Sequence, residues 1–171
     1  MITVLSRYTI SVVLISISTI SPSLAQSSQI QINSEIVLES TAAHAGTSIR
    51  GAISVQLEQG YHVNSNAPLD ESLIPTVLNL DTPQGIRPVG LVYPEAVLFE
   101  QIGLVEPLAV FGEEFTIGFT LAISKDLSVD EYTIPVTLRY QACDETMCYM
   151  PSSLSTTLSL RVVQVSEPIV P

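Results

Sequence analysis

Apolar and polar residues alternate along most of the chain, and this period of two is typical of β-strands that bury one face. The alternation is clearest over residues 48–58, where every second side chain from Ile49 to Leu57 is apolar or glycine. Other stretches with a strand pattern are 30–38, 76–80, 86–92, 108–123 and 134–140. Each is predicted to form a strand, and the first is predicted to lie at the edge of a sheet.

Prolines separate these stretches, and Pro75, Pro83, Pro88 and Pro94 all stand at or near the ends of predicted strands. Proline has no backbone N–H, so it is confined to strand ends, edges and turns, and it breaks long helices. Almost no helical periodicity is present. We therefore predict an all-β domain: an immunoglobulin-like antiparallel β-sandwich of two sheets over about 30–165.

One segment does not follow this pattern. Residues 94–107 have the length of a loop but are rich in apolar side chains, including Phe99. The segment is predicted to be either a covered loop or a weak strand that contributes to the core.

The only two cysteines of the chain, Cys143 and Cys148, are separated by four residues. A strand pattern ends just before the first cysteine, and another begins after Pro151. This spacing predicts a strand end, a tight turn and a strand start, with the cysteines facing each other across a hairpin. Their Cα atoms are then expected within about 7 Å, as a disulfide requires.

Three uses of this pair stay open from the spacing. An exported protein with two cysteines usually carries a stabilising disulfide, although closing so small a ring contributes only roughly 2 kcal/mol in the chain-entropy model. A redox-active pair is the second use, because strained or exposed disulfides are the labile ones. The third is a metal site with His44 or His62, but structural zinc needs four ligands. We predict no cofactor and no bound metal.

Acidic side chains lie inside the cysteine loop. Asp144 and Glu145 stand between the cysteines, and the loop contains no lysine or arginine. Nearby negative charge disfavours a thiolate. We therefore expect a pair that attacks slowly by itself and reacts when the thiolate of a partner approaches.

Two segments resemble the N-terminal domain of the thiol:disulfide interchange protein DsbD. The first is YQACDETMCYMP at 140–151, and the second is GYHVNSNAP at 60–68, followed by LIPT at 73–76. The resemblance implies a periplasmic thiol:disulfide oxidoreductase domain in which Cys143 and Cys148 cycle between dithiol and disulfide. It also implies a loop whose aromatic residue caps the disulfide, and Phe99 is the aromatic residue available.

One interpretation of His62 is functional: it lies near the cysteines, where an imidazole can help to handle a proton. The alternative for His62 is a structural imidazole that is bonded to the backbone. In the family, the second cysteine forms the mixed disulfide, so Cys148 is expected to make the intermolecular bond and Cys143 to resolve it. Leaving-group chemistry alone favours the opposite assignment, because Asp144 and Glu145 disfavour charge on Cys143.

Family members pass electrons to periplasmic oxidoreductases, including those of cytochrome c maturation. They continue into a membrane electron-transfer domain and a thioredoxin-like domain, whereas this sequence ends at residue 171. The expected partners are therefore separate proteins: thioredoxin-like periplasmic oxidoreductases or a membrane electron-transfer protein.

The first 25 residues have the features of an export signal. Arg7 precedes an apolar run over 8–20, and small residues at 23 and 25 flank a cleavage position after Ala25. We predict a signal peptide over 1–25, a mature domain over 26–171 in the periplasm, and no membrane span in the mature chain. An uncleaved anchor is the alternative.

The mature part is strongly acidic, since five basic side chains remain there against 17 acidic ones (5 − 17 = −12). Nucleic acid is excluded as a partner because phosphate binding needs a basic face. Three functions therefore compete: a thiol–disulfide relay, a non-catalytic immunoglobulin-like interaction module with a structural disulfide, and a metal chaperone that uses Cys143, Cys148 and His62.

Overall fold

The alternating stretches form strands, and these strands assemble into three four-stranded sheets. The structure is a computed structural model that describes residues 30–169, so the predicted signal peptide lies outside the described residues. Between residues 30 and 169 no helix has the length and apolar character needed to cross a membrane. The strands are β1 (Ile32–Leu38), β2 (Ala43–His44), β3 (Ser48–Leu57), β4 (His62–Asn64), β5 (Val77–Leu80), β6 (Ile86–Val92), β7 (Val97–Phe99), β8 (Leu108–Phe111), β9 (Glu114–Ile123), β10 (Asp130–Tyr140), β11 (Ala142–Cys143) and β12 (Ser152–Val163).

Two large sheets form the body of the domain. The first has the order β1–β3–β9–β6, with every pair antiparallel, and β1 lies at its edge as predicted. The second has the order β2–β12–β10–β5, in which β10 and β12 pair along their length from Asp130↔Val162 to Tyr140↔Ser152. The short pairing of β2 with β12 is parallel, which departs from the antiparallel arrangement that was predicted.

The buried faces of the two large sheets supply one hydrophobic core. Ile53 and Ile117 of the first sheet have no exposed surface, and neither do Leu138 and Leu160 of the second. Their period of two along each strand is the alternation seen in the sequence, which places apolar side chains inward and polar ones in water. The all-β, immunoglobulin-like class is confirmed.

The third sheet is small, has the order β11–β4–β8–β7, and was not predicted. It arises because long strands of the main sheets change sheet at one end of the sandwich. Strand β3 continues into β4 after a turn at Gly60, whose φ is 87°. Strand β8 precedes β9, and β10 continues into β11 after Gln141. The cysteine hairpin is thus built on an extension of the sandwich.

The predicted single strand over 108–123 is wrong in one respect, because it is divided between two sheets. Strand β8 belongs to the small sheet and β9 to the first large sheet, with the break at Gly112 and Glu113. The carbonyl of Glu113 accepts a hydrogen bond from Leu57 N (2.8 Å) and its carboxylate accepts one from Gly60 N (2.8 Å). These bonds hold the β8–β9 connection next to the β3–β4 connection, where both segments pass from one sheet to another. Apolar residues on both sides of the break made the sequence pattern look continuous.

Candidate redox site

Cys143 and Cys148 form a disulfide across a hairpin, with a Cα–Cα distance of 3.9 Å. Cys143 lies in β11, pairs with His62 of β4 on one side, and forms an isolated antiparallel bridge with Cys148 on the other. The predicted hairpin and the predicted Cα separation are confirmed. The two sulfurs differ in environment: Cys143 is 0% exposed, whereas Cys148 is half-buried.

The carboxylate of Asp144 organises the turn between the cysteines. Its Oδ1 accepts hydrogen bonds from Thr146 N (2.7 Å), Thr146 Oγ1 (2.8 Å) and Met147 N (2.9 Å), and its Oδ2 accepts one from Tyr149 OH (2.6 Å). A side-chain oxygen that accepts from the backbone two and three residues later is the usual way in which aspartate stabilises a turn. Asp144 therefore has a structural role that the sequence analysis did not assign to it.

These bonds keep Asp144 ionised. The Tyr149 hydroxyl and then the Thr146 N–H hold the pKa of the Asp144 carboxyl well below its usual range. In return, the same bond to Asp144 raises the pKa of Tyr149 well above its usual value. Neither Asp144 nor Glu145 takes part in a salt bridge within the described part of the chain. The negative charge expected beside Cys143 is thus present and lacks a cationic partner there.

A half-buried amide, Gln141, joins the hairpin to the neighbouring segments. Its Oε1 accepts hydrogen bonds from Asn64 Nδ2 (3.0 Å) and Ile74 N (3.1 Å), and its Nε2 donates to the carbonyl of Tyr149 (3.0 Å). Its backbone carbonyl accepts from Asn64 N (3.2 Å). Gln141 lies where the chain leaves one sheet for another, so its side chain replaces ladder bonds that end there.

His62 of β4 is the strand partner of the buried Cys143. It is 5% exposed, and its Nε2 has no hydrogen-bond partner among the described residues. Burial lowers the pKa of His62, and the charge of Asp144 opposes that shift. Burial therefore favours the neutral imidazole, and one ring nitrogen is unpaired among the described residues, next to the strand that carries Cys143.

Phe99 packs on His62, with 4.2 Å between the ring centroids. It ends β7, at the opposite edge of the small sheet from Cys143, and it is half-buried. Residues 94–107 were predicted to be a covered loop or a weak strand that contributes to the core. Val97–Phe99 is a short strand, but Val97 and Leu98 are exposed, so the predicted contribution to the core is wrong. That Phe99 covers the disulfide itself stays a prediction.

The residues after Phe99 reach the cysteine loop directly. Gln101 is 7% exposed, and its Oε1 lies 3.8 Å from Cys148 Sγ. A disulfide sulfur carries no proton, so this is a contact in the oxidised form, but the same oxygen can accept the S–H of a reduced Cys148. Ile102 N donates to the carbonyl of Glu145 (3.0 Å). A polar side chain therefore contacts the sulfur where an apolar cap was expected.

Three residues of this site were missed by sequence reasoning: Gln141, Tyr149 and Gln101. The first two lie inside the quoted cysteine motif, Gln141 two positions before Cys143 and Tyr149 directly after Cys148, and that position was the available signal. Gln101 is distant in sequence and carried no signal. Among residues 30–169, no group of three His, Cys, Asp or Glu side chains is arranged to hold a metal ion.

The fold and site define a class of protein: an all-β domain that presents a disulfide hairpin at one end of a sandwich. The family model described as "Thiol:disulfide interchange protein DsbD, N-terminal" matches residues 32–160. The chain belongs to this family, and hence to the thiol–disulfide interchange class. A search of curated proteins finds no match.

Two solved structures are similar to this chain. One is the N-terminal periplasmic domain of ScsB from Proteus mirabilis, at 15% identity and a TM-score of 0.50, covering 86% of this chain and 51% of that one. The other is the DsbD N-terminal domain of Neisseria meningitidis in its reduced form, at 16% identity and a TM-score of 0.45, covering 74% of this chain and 86% of that one. At such identities, the ScsB similarity supports the fold alone.

Proposed function

We propose that the protein exchanges disulfides with thioredoxin-like partners through Cys143 and Cys148. The observation that carries the proposal is the asymmetry of the pair: one sulfur is fully buried and the other is half-buried in a surface hairpin. A disulfide with a purely stabilising role gains from a long closed loop, whereas this one joins cysteines five positions apart. Family membership supports the same chemistry.

In this reaction, a thiolate of the partner attacks Sγ of Cys148. The Cys143–Cys148 bond breaks, a mixed disulfide forms, and the sulfur of Cys143 leaves as a thiolate that takes up a proton. The second cysteine of the partner, as a thiolate, then attacks the partner's sulfur in the mixed disulfide. The partner closes its own disulfide, and Cys148 leaves as a thiolate that takes up a proton. Two electrons and two protons have moved from the partner to this pair, and the reverse sequence donates them.

The surroundings of Cys148 suit a protein partner. Exposed apolar side chains lie in the hairpin and in the segment that contacts it: Ile102, Leu104, Val105, Met147 and Met150. Clustered apolar side chains at a surface mark a site for protein contact. A docked partner covers this surface and places its cysteine at Cys148. The periplasm is oxidising, which suits an exported protein whose cysteine pair rests as a disulfide. Exchange with thioredoxin-like partners would connect this protein to cytochrome c maturation.

A redox titration tests the proposal. The mature protein is equilibrated with glutathione buffers and separately with a thioredoxin-like protein, and the fraction of disulfide is measured by thiol alkylation and mass spectrometry. Exchange with the thioredoxin-like protein within minutes is expected. A pair that resists reduction by both is a structural disulfide, and the interaction-module alternative then stands. Repeating the titration with zinc detects a metal chaperone, since only that function predicts tight uptake by the reduced form.

Removing the aromatic ring next to the site is expected to expose it. Phe99→Ala should speed reduction of the disulfide by a small thiol roughly threefold to tenfold, because the ring packs on His62 beside Cys143 and its loss is expected to open that side of the hairpin. The measurement is a stopped-flow or quench assay with dithiothreitol. Leu98→Ala is the matched control, because Leu98 precedes Phe99 in the same strand and is 67% exposed. Equal rates in the wild type and Phe99→Ala would remove Phe99 from the mechanism.

A further inference from the structure

Tyr149, the residue after Cys148, is bonded to both residues that flank Cys143 and to Gln141, which lies two positions before Cys143. Its N–H donates to the carbonyl of Ala142 (2.8 Å), its carbonyl accepts from Gln141 Nε2 (3.0 Å), and its hydroxyl donates to Asp144 Oδ2 (2.6 Å). Tyr149 alone therefore joins the two arms of the hairpin by three hydrogen bonds besides the disulfide.

None of these bonds involves a sulfur atom. When the disulfide is reduced, the donors and acceptors are unchanged, and Asp144 N still has the carbonyl of Met147 as its acceptor (2.9 Å). The Asp144–Tyr149 bond is the one side-chain bond among them that spans the hairpin from next to Cys143 to next to Cys148. It pairs a carboxylate with a hydroxyl, and hydrogen bonds to an ionised group are the stronger kind.

We propose that the Asp144–Tyr149 hydrogen bond is a clasp that keeps the hairpin closed in the dithiol form and thereby makes the pair more reducing. The inference rests on the proposed exchange function. Two thiols held side by side lose little freedom when they join, so their effective concentration is high and the disulfide is favoured. Asp144 and Tyr149 are positioning residues, which act through the cysteines without touching a substrate.

The clasp acts on a defined step. In the mixed disulfide, the Cys143 thiolate attacks Sγ of Cys148, the intramolecular bond forms, the intermolecular bond breaks, and the sulfur of the partner leaves as a thiolate that takes up a proton. The pair is oxidised by two electrons and the disulfide of the partner is reduced. With the clasp in place, Cys143 is already beside Cys148, so mixed disulfides resolve quickly and the partner is not trapped.

The test is the equilibrium constant for oxidation of the dithiol in buffers of oxidised and reduced dithiothreitol, which needs no protein partner. Tyr149→Phe removes the clasp and keeps the charge of Asp144. We expect the constant to fall about tenfold, which makes the potential about 30 mV less negative. Asp144→Ser should lower it similarly, because serine can still cap the turn but is too short for Tyr149. Asp144→Asn removes the charge, keeps an acceptor for the turn, and should lower it less.

Tyr132→Phe is the matched control, since it removes the Tyr132 hydroxyl bond to the carbonyl of Ser128 (2.9 Å) far from the cysteines. It should leave the constant unchanged. A Tyr149→Phe protein whose constant equals that of the wild type overturns the clasp, even if its melting temperature has fallen. If Asp144→Asn changes the constant strongly and Tyr149→Phe does not, the effect is due to the charge of Asp144, and the clasp is overturned as well. If the constants shift as expected but no thioredoxin-like partner exchanges, the clasp stands and the proposed function fails.

Discussion

A Cys143→Ser protein, which keeps only Cys148, is expected to accumulate a mixed disulfide with a thioredoxin-like partner, and a Cys148→Ser protein is expected to accumulate at least roughly tenfold less. The reason is access, because Cys143 is fully buried and Cys148 is half-buried. The partner should be a variant without its resolving cysteine whose remaining sulfur is held in an aryl mixed disulfide, so that attack by the free cysteine displaces the aryl thiolate and the adduct persists. Non-reducing gel electrophoresis and intact mass measure the yield.

The control is each variant after alkylation of its remaining cysteine, which should give no adduct. Leaving-group chemistry makes the opposite prediction, since ionised Asp144 lies next to Cys143 and its charge has no cationic partner in the described residues. If Cys148→Ser traps the partner and Cys143→Ser does not, the assignment of the two sulfurs is reversed. In that case the hairpin must open before exchange, because Cys143 has no exposed surface in the closed form.

The large sheets could be predicted from the sequence because their strands have one buried and one exposed face. In 48–58, each inward position is apolar or glycine and each outward one is small, polar or charged, so the period of two is easily seen. The hairpin was predictable for a related reason, since a sequence separation of five between the cysteines leaves little choice of geometry. The alternation of residues and the cysteine spacing were sufficient where contacts between residues close in sequence determined the structure.

The small sheet and the polar network below the hairpin could not be predicted in this way. Strands β4, β8 and β11 are two to four residues long, and β4 and β8 are buried on both faces, so they show no alternation. Gln101 and Cys148 meet across 47 positions, and Asn64 and Gln141 across 77. Such contacts depend on how the chain crosses between sheets, and a single sequence carries no periodic signal for a crossing. The buried polar residues there are the ones that position the cysteines.

Gln141→Leu is expected to destabilise the folded protein by about 3 kcal/mol, because it removes three partly buried hydrogen bonds and leaves two half-buried backbone groups unpaired. Without the amide, Ile74 N and the carbonyl of Tyr149 lose the partners they have in the structure, and Asn64 Nδ2 keeps only the carbonyl of Ile74. Denaturant unfolding of the oxidised protein, followed by circular dichroism, measures the change in the free energy of unfolding.

Gln56→Leu provides the matched control for this prediction. Gln56 Nε2 donates to Glu114 Oε1 at 3.1 Å on an exposed face of the first large sheet, so its loss should cost less than about 0.5 kcal/mol. If the two substitutions cost the same, the network around Gln141 contributes no more than a surface bond. If only Gln141→Leu lowers the free energy of unfolding substantially, the hydrogen bonds of Gln141 are a principal contribution to the stability of the fold. The released Tyr149 carbonyl should then also loosen the hairpin, and the oxidation constant in dithiothreitol should fall in the same direction as in Tyr149→Phe.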